Sequence, residues 1–284
     1  MKHSSNSLIS QALEYLRKNN VDTYVFEIKI MLADLLNMEV SQIKISDLEV
    51  SDDNKKQFWQ MIEKRKNHFP VDKIIGHRGF YKYNFIVDTN VLSPRPDTEI
   101  LLEETLKICD KTQVQNILEL GVGSGCVITS VLAEKDIMGV GVDISSAALS
   151  IAQQNAQNLG VEGRLRFIHG DWFSSDFTLL FTNKFDLIVS NPPYIPTGEI
   201  GKLDAEVKDY DPIVALDGGV DGLDAYRQIA TISPKLLNNN GYIVLEVGEN
   251  QAEDVINIFE YNKFKLYKIV QDLSGIKRCV ILKK

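Results

Sequence analysis

Asn116-Ile117-Leu118-Glu119-Leu120-Gly121-Val122-Gly123-Ser124-Gly125 decides the fold. The apolar run 116–120 is a strand candidate that passes straight into glycines spaced G-x-G-x-G, and Val127 to Ala133 then reads as a helix. Strand, glycine loop and helix in that order make a cofactor-binding turn. The glycines allow a ligand close to the backbone, and the helix N-terminus presents unpaired N–H groups. Dinucleotide oxidoreductases carry G-x-G-x-x-G, so the spacing here disfavours them. Moving outward, Met138 to Val142 forms a second strand candidate ending at Asp143, 22 residues after Gly121, where a carboxylate is placed to accept from ribose hydroxyls. The alternative reading of Asp143 is a helix cap, a duty that Ser145 and Ser146 also suit. A third unit, Leu165 to Gly170, ends in Asp171-Trp172-Phe173, offering a carboxylate and an aromatic for an adenine to rest on; a rim aromatic is the alternative for Trp172. The alternation of strands and helices from residue 100 onward predicts an α/β fold of Rossmann-like layers.

The run Phe185 to Ser190 is another strand candidate, and it ends in Asn191-Pro192-Pro193-Tyr194. Proline has no N–H, so Pro192 and Pro193 stop strand pairing and leave a stiff turn with free carbonyls. Such a turn suits one kind of chemistry. The nitrogen of an amide or aniline-like NH2 has its lone pair delocalised, so it attacks only when both N–H bonds are held by acceptors and the lone pair is aimed. The Asn191 side-chain oxygen and the Pro192 carbonyl can supply the acceptors, and the Tyr194 ring a flat stacking face. Orientation of this sort is worth roughly 7–11 kcal/mol of barrier. No general base is required, because a methylated nitrogen becomes cationic and sheds its proton readily. The bland alternative is a loop after a strand, since Asn-Pro marks turns. Its position downstream of the glycine loop favours methyl transfer to a planar NH2.

Composition sets limits. The 284 residues are 44% hydrophobic and 25% charged, as in a soluble globular protein with room for one large and one small domain. No signal-peptide core opens the chain and no uncharged apolar stretch is long enough to span a bilayer, so a cytoplasmic location is expected. Cys109, Cys126 and Cys279 are too scattered for a disulfide framework or zinc site, and the four histidines show no ligand spacing, so no metal is expected. Charge is uneven: residues 1–90 carry 13 Lys/Arg against 12 Asp/Glu, while 91–284 carry 18 against 27. An acidic catalytic part without a basic stripe argues against direct nucleic-acid binding. Eight carboxylates fall between Glu199 and Asp224; a solvated loop and a surface admitting a basic protein partner are both open readings.

The first ~75 residues read as a helical module by apolar spacing. Leu8, Ala12, Leu13 and Leu16 mark one helix; Phe26, Ile30 and Leu35 a second; Phe58, Trp59, Ile62 and Phe69 a third. Phe80 to Val87 reads as β-structure, and Pro96 followed by acids as a helix start. Asn238-Asn239-Asn240 reads as a turn before the strand Gly241 to Val247, with closing strands over Phe264 to Val270 and Arg278 to Leu282.

Along nearly its whole length the chain resembles the glutamine methyltransferases that modify the Gly-Gly-Gln loop of peptide chain release factors. The resemblance rests on Pro94-Arg95-Pro96-Asp97-Thr98-Glu99, the 121–125 loop, Asp171-Trp172-Phe173, Asn191 to Tyr194, Ala215 to Leu223, and Asp272 to Arg278. Asp97 where relatives often have Glu, Asp211-Pro212 for a frequent Glu-Pro, and Val122 and Ser124 for commoner Thr or Ala are conservative departures. The resemblance implies a class I methyltransferase fold (α/β) using S-adenosylmethionine, with a helical substrate-docking domain at 1–75, a β-hairpin linker at 76–92 and a catalytic domain at 93–284. It implies cofactor binding by Gly121, Val122, Gly123, Ser124, Gly125, Asp143, Trp172 and Asn191. The substrate amide is then held by Asn191, Pro192, Pro193 and Tyr194, with Asn191, Pro192 and Tyr194 as the catalytic set. The expected partner is a release factor, met by a monomer. A ribosomal-protein glutamine and, more remotely, the exocyclic amine of a DNA adenine remain alternative targets of the same four-residue turn. A catalytically silent binding protein is disfavoured by the intact turn.

Overall fold

The computed structural model describes residues 2–45 and 47–284, which fold as two compact units. Unit 1 takes Met1–His77 together with Asp204–Tyr210; unit 2 takes Arg78–Leu203 and Asp211–Lys284.

Unit 1 begins with β1 (Lys2–Ser4), α1 (Ser5–Lys18), α2 (Val25–Leu35), α3 (Val40–Ile45), β2 (Glu49–Ser51), α4 (Asp52–Lys66) and α5 (Val71–Ile75), with β1 and β2 antiparallel. Helix α4 is specified at both ends. The Ser51 side chain accepts the Asn54 N–H, Asp52 and Asp53 occupy the first turn, and Lys64, Arg65 and Lys66 the last, each sign matching the helix dipole. Leu8, Ala12, Leu16, Met31, Leu32, Phe58 and Ile62 form one buried cluster. Two sequence expectations need correction. Phe69 lies beyond α4, which stops at Lys66 before His68 turns left-handed at φ 61°. Phe26 is 50% exposed, because α2 buries the stripe of Ile28, Met31 and Leu32 instead. The short β1–β2 pair and α3 had no sequence signal.

In chain order there follow the hairpin strands β3 (His77–Phe80) and β4 (Tyr83–Ile86), then α6 (Thr98–Lys111), β5 (Asn116–Leu120), α7 (Cys126–Glu134), β6 (Met138–Asp143), α8 (Ser146–Asn158), β7 (Leu165–His169) and β8 (Phe185–Ser190). After a one-turn helix α9 (Ala205–Lys208) come α10 (Asp224–Leu236), β9 (Leu237–Glu246), α11 (Ala252–Tyr261), β10 (Lys265–Gln271) and β11 (Lys277–Lys283). Seven strands of unit 2 form one sheet in the order β10-β11-β9-β8-β5-β6-β7, parallel from β9 to β7 and antiparallel at β11 and β10.

Both faces of the sheet are covered, as the continuous apolar runs require. In β5, Ile117 packs into the cluster holding Leu101, Val127 and Ile128, whereas Leu118 and Leu120 face the cluster holding Tyr226, Ile229 and Val255. The chain leaves β5 for β6 and β7 on one side, then returns to β8 on the other. Ligands bind at the crevice beyond the strand ends where such an order reverses.

The Asn238–Asn240 turn is also corrected. Leu237 pairs with Phe185 and Tyr242 with Leu187, so the asparagines bulge out opposite Asp186 within β9. Asn240 takes φ 64°, which asparagine tolerates, and Asn238 Nδ2 donates to Asp186 Oδ1 at 2.7 Å. Pro96 sits just before α6, in a bend closed by Thr98 N–H to Arg95 O at 3.1 Å. Among the described residues no helix is long and apolar enough to cross a membrane.

The acidic stretch 199–224 is divided between the units and largely spoken for. In unit 1, Glu206 pairs with the buried Arg65 at 2.6 Å, Tyr210 lays its ring against Phe69 at 4.6 Å between centroids, and Lys73 Nζ donates to Tyr210 O at 2.8 Å. In unit 2, Asp211 pairs with Arg95 at 3.1 Å, Asp217 accepts from Thr197 and the Gly219 N–H, and Asp221 and Asp224 hold Arg227. These internal partners account for most of its charge.

Candidate functional site

The exits of β5, β6 and β8 meet around a cavity of about 360 Å³ within unit 2. Its floor is the glycine loop. The N–H groups of Gly121 and Val122 donate to Val142 O at 2.9 and 3.1 Å, tying the loop to the end of β6. Gly121, Gly123 and Gly125 take φ of 76°, 54° and 78°, a region L side chains rarely enter. A Cβ on Gly121 would stand 3.1 Å from Trp172 Cη2, so the indole seats directly over that glycine, while a Cβ on Gly123 would meet nothing within 4 Å. Gly125 precedes α7, and its missing Cβ lets the loop pack against Ala152 of α8. Asn155 of α8 then donates through Nδ2 to Ser124 O at 2.9 Å, bracing the loop from below.

Asp143, at the end of β6, accepts the Gly123 N–H through Oδ2 at 2.8 Å and the Ser145 N–H through Oδ1 at 2.9 Å. The capping alternative is answered by Ser145, whose Oγ accepts the Ala148 N–H at 3.1 Å as the N-cap of α8. Asp143 therefore fixes the glycine loop and still lines the cavity with lone pairs to spare. Trp172 also lines it. Its backbone carbonyl accepts from Gln228 at 2.6 Å, and its buried Nε1 has no partner.

On the opposite wall Asn191 Nδ2 donates to Thr98 Oγ1 at 3.2 Å, which leaves the Asn191 side-chain oxygen free to accept. Pro193 lines the cavity; Pro192 is buried behind it. Tyr194 does not line the cavity. Its hydroxyl is 3.5 Å from Glu246 Oε1, too long for a strong hydrogen bond, and its carbonyl accepts from Gln251 at 2.9 Å. Burial pushes the Tyr194 phenol well above its ordinary range. Thus of the residues singled out in the sequence, Gly121 to Ser124, Asp143, Trp172, Asn191 and Pro193 surround the cavity, whereas Gly125, Pro192 and Tyr194 support it from outside.

The cavity also recruits residues to which the sequence reading assigned no role. Asn90 to Arg95 and Thr98 close one side, and Pro212, Val214, Ala215 and Asp217 another. Glu119 lines it too. Its carboxylate accepts the Ile128 N–H at 3.0 Å, and burial followed by the Asp143 charge drives its pKa well up. Glu246, at the end of β9, is 3% exposed, with burial raising its carboxyl to about 7. One signal for both carboxylates was available: each interrupts an otherwise apolar strand, Ile117-Leu118-Glu119-Leu120 and Ile243-Val244-Leu245-Glu246-Val247. Cys126 lines the cavity as an inert thiol, pushed far up by burial. Among the described residues no group of His, Cys, Asp or Glu could hold a metal ion.

Residues 111–277 match the family described as Methyltransferase domain, and residues 7–76 the one described as PrmC N-terminal domain. The release factor glutamine methyltransferase of Rhodospirillum rubrum is 42% identical over 225 residues, spanning 79% of this chain and 67% of its own. That of Agrobacterium fabrum is 34% identical over 279 residues, spanning 96% of this chain and 95% of its own. A solved methyltransferase of Pyrococcus furiosus superposes with a TM-score of 0.51 at 14% identity, covering 82% of this chain and 99% of that one. That likeness shows the class I methyltransferase fold.

Proposed function

Because the chain belongs to the release factor glutamine methyltransferase family, we propose that this cavity transfers a methyl group to the side-chain amide nitrogen of the glutamine in the Gly-Gly-Gln motif of peptide chain release factors. The methyl donor is S-adenosylmethionine. Bound there, it supplies an electrophilic methyl group on a sulfonium and leaves as a neutral thioether. The residues present suit such a guest: left-handed glycines that keep Cβ atoms out of its way, the Asp143 carboxylate for ribose hydroxyls, and the orphaned Nε1 of Trp172.

The observation that carries the amide half is the commitment of Asn191 Nδ2 to Thr98, which makes the remaining Asn191 oxygen an acceptor. An acceptor there, with the Pro192 carbonyl as its companion, matches the two N–H groups of a primary amide. Held by both, the nitrogen keeps its lone pair on the methyl side. It forms the new N–C bond and becomes cationic, and its surplus proton passes to water without a dedicated base. Tyr194 would stiffen the turn from behind, packed against the buried cluster under β8 and β9.

Residues 1–75 are the docking domain of this proposal, because a glutamine side chain alone offers too little surface for selectivity. The chain acts as a cytoplasmic monomer, and the acidic balance of residues 91–284 supports a protein substrate over a nucleic acid. Mass spectrometry of release factor incubated with this protein and S-adenosylmethionine tests the reading. A single added methyl on the Gly-Gly-Gln glutamine is expected. Methylation of DNA adenine or of a ribosomal protein, with release factor untouched, would overturn it.

A further inference from the structure

Beside the reaction cavity, unit 2 carries an open groove of about 530 Å³ that the reaction as described does not use. Phe173, Pro193, Val214 and Asp217 line both hollows, whereas Ile213 lines the groove alone. Phe173, Ile213 and Val214 are large, apolar and 54%, 51% and 52% exposed. One such side chain needs no explanation. Three gathered beside a catalytic cavity mark a contact surface.

The groove is built before any guest arrives. Ile195 bridges to Asp217 in parallel, with the Ile195 N–H donating to Leu216 O at 3.0 Å and the Gly218 N–H to Ile195 O at 2.9 Å, so the chain leaving Tyr194 is zipped to residues 216–218. A Cβ on Gly218 would stand 2.8 Å from Tyr194 Cα, so only glycine lets the two backbones meet there. Asp171 Oδ1 accepts the Phe173 N–H at 2.8 Å and fixes the turn that carries the Phe173 ring. Asp217 is held by Thr197 and the Gly219 N–H, and Asp224, which also lines the groove, by Arg227. Both carboxylates keep lone pairs for the main-chain N–H groups of a guest.

Resting on the glutamine-methylation reading of the cavity, we propose that this groove binds the stretch of release factor that follows the acceptor glutamine, with Ile213 and Phe173 meeting an apolar side chain one to three residues beyond it. The occupant follows from continuity. A glutamine whose amide reaches Asn191 leaves its own backbone at the opening of the cavity, and Phe173, Pro193 and Val214 carry the wall from there into the groove. An extended chain advances about 3.3 Å per residue, so the next three residues lie within about 10 Å of the glutamine. The two glycines before it have no side chains to set against an apolar surface, so the contact comes from the residues after it. Ile213 does not line the reaction cavity. Its contact is therefore made equally before and during methyl transfer, and such uniform binding acts on KM and leaves kcat alone.

The test uses the full chain and has two arms. In the first, Ile213→Lys should raise the KM for release factor about tenfold, with kcat and the affinity for S-adenosylmethionine unchanged. Val220→Lys is the control, since Val220 is 92% exposed in the same stretch of chain and lines neither hollow; it should change nothing. Release factor is then given Asp at the first, second or third position after the glutamine. At one of these Asp should raise the KM of the wild type, and Ile213→Lys should relieve that penalty. Equal KM in wild type and Ile213→Lys overturns the proposal, as does relief at none of the three positions. Ile213→Ala decides the case should Ile213→Lys lose its affinity for S-adenosylmethionine, with a rise in KM of about threefold expected and an unchanged KM overturning the proposal. In the second arm, binding of release factor is measured by fluorescence anisotropy with S-adenosylhomocysteine present. A wild type that binds release factor but never methylates it overturns the functional reading alone, and the groove is then judged on affinity, which should be about tenfold weaker in Ile213→Lys. Equal affinity in the two proteins, absent binding included, overturns the proposal.

Discussion

Where β5 ends, the cavity wall is backbone; where β8 ends, it is side chain. The first exit presents Gly121 and Gly123 in left-handed conformations, held by N–H groups that donate to Val142 O and to Asp143. The second presents one amide, Asn191, steadied by Thr98, with Pro192 buried and Tyr194 turned away behind it. The two exits are neighbours because β5 and β8 pair directly, Leu120 beside Ser190, and Ser190 Oγ donates to Leu120 O at 2.6 Å. A wall of backbone tolerates changes of side-chain chemistry and fails when a Cβ appears. A wall built on one side chain fails when a single atom is lost. The cofactor side should therefore respond to substitution in affinity, and the amide side in turnover.

The largest effect should come from the side-chain wall. On the proposed reading, Asn191→Ala removes one of the two amide acceptors, and it is expected to lower kcat by about 10²–10³, the usual consequence of deleting one preorganised hydrogen-bonding group. Cofactor affinity measured by calorimetry should change far less. If the loss disappears at saturating S-adenosylmethionine, Asn191 belongs to the cofactor wall and the contrast between the two exits is wrong.

A second effect of similar size concerns stability rather than rate. Burial disfavours charged Glu246, so its carboxyl titrates near 7 in the folded chain against 4.5 for the free group. The sign follows from linkage: the folded state holds the proton more tightly, so its stability is fullest below pH 4.5 and declines as pH rises through about 7. Glu246→Gln cannot lose that proton. Relative to wild type it should gain up to about 3 kcal/mol between pH 4 and pH 8, from 1.36 kcal/mol per pKa unit. Urea unfolding at the two pH values checks this. An equal difference at both would mean that Glu246 binds its proton no more tightly in the folded chain than in the unfolded one.

The contrast between the exits explains what the sequence disclosed and what it withheld. The backbone wall was legible because glycine is a conformational statement: Gly121-Val122-Gly123-Ser124-Gly125 after an apolar run announces left-handed turns wherever it occurs. Asn191 was legible because Pro192 and Pro193 force a stop just after it. That Tyr194 stands off the cavity lining was not legible for an equally local reason, since a four-residue run says nothing of which side its last ring will take. Tyr194 packs instead against the buried cluster that holds Tyr226, Val247 and Ala252. Thr98 and Glu246 left traces in the sequence, one inside the Pro94–Glu99 run and one as a carboxylate in an apolar strand, but their neighbourhood to Asn191 did not, because they lie on α6 and β9, 93 and 55 residues away, and only the fold brings those elements together. Unit 1 shows the same limit. No local pattern reveals that Asp204–Tyr210 belongs with the first 77 residues, because its tie is the long-range pairing of Glu206 with Arg65.

Asp143→Ala should have an intermediate effect. It deletes the acceptor of the Gly123 N–H together with the ribose acceptor proposed above, and should weaken S-adenosylmethionine binding about tenfold to thirtyfold, on the basis of about 1.5–2 kcal/mol for a charged acceptor. Asp143→Asn keeps the shape and one acceptor oxygen, and should recover part of that. Equal affinity in wild type and Asp143→Ala, read by calorimetry, would leave the carboxylate as a brace for the loop with no share in the ligand.

The smallest effects separate the two glycines, and they bear most directly on what a backbone wall is. Both residues have positive φ, so alanine at either costs about 1 kcal/mol of left-handed strain. Only Gly121 has a neighbour in the way: its added Cβ meets the Trp172 ring at 3.1 Å, tight enough to displace the indole by a few tenths of an ångström. If the cavity needs that ring in place, Gly121→Ala should cost about tenfold in cofactor affinity, and Trp172 fluorescence should shift in the free protein. Gly123→Ala adds its methyl where nothing lies within 4 Å, so the free protein should be unperturbed beyond the strain. Any loss of affinity there, expected at about threefold to fivefold from strain that the bound loop cannot relax, reports the ligand itself. A Gly123→Ala defect larger than that of Gly121→Ala would mean that the ligand presses on Gly123 more closely than the indole presses on Gly121. The open space over Gly123 would then be the tightest part of the bound site.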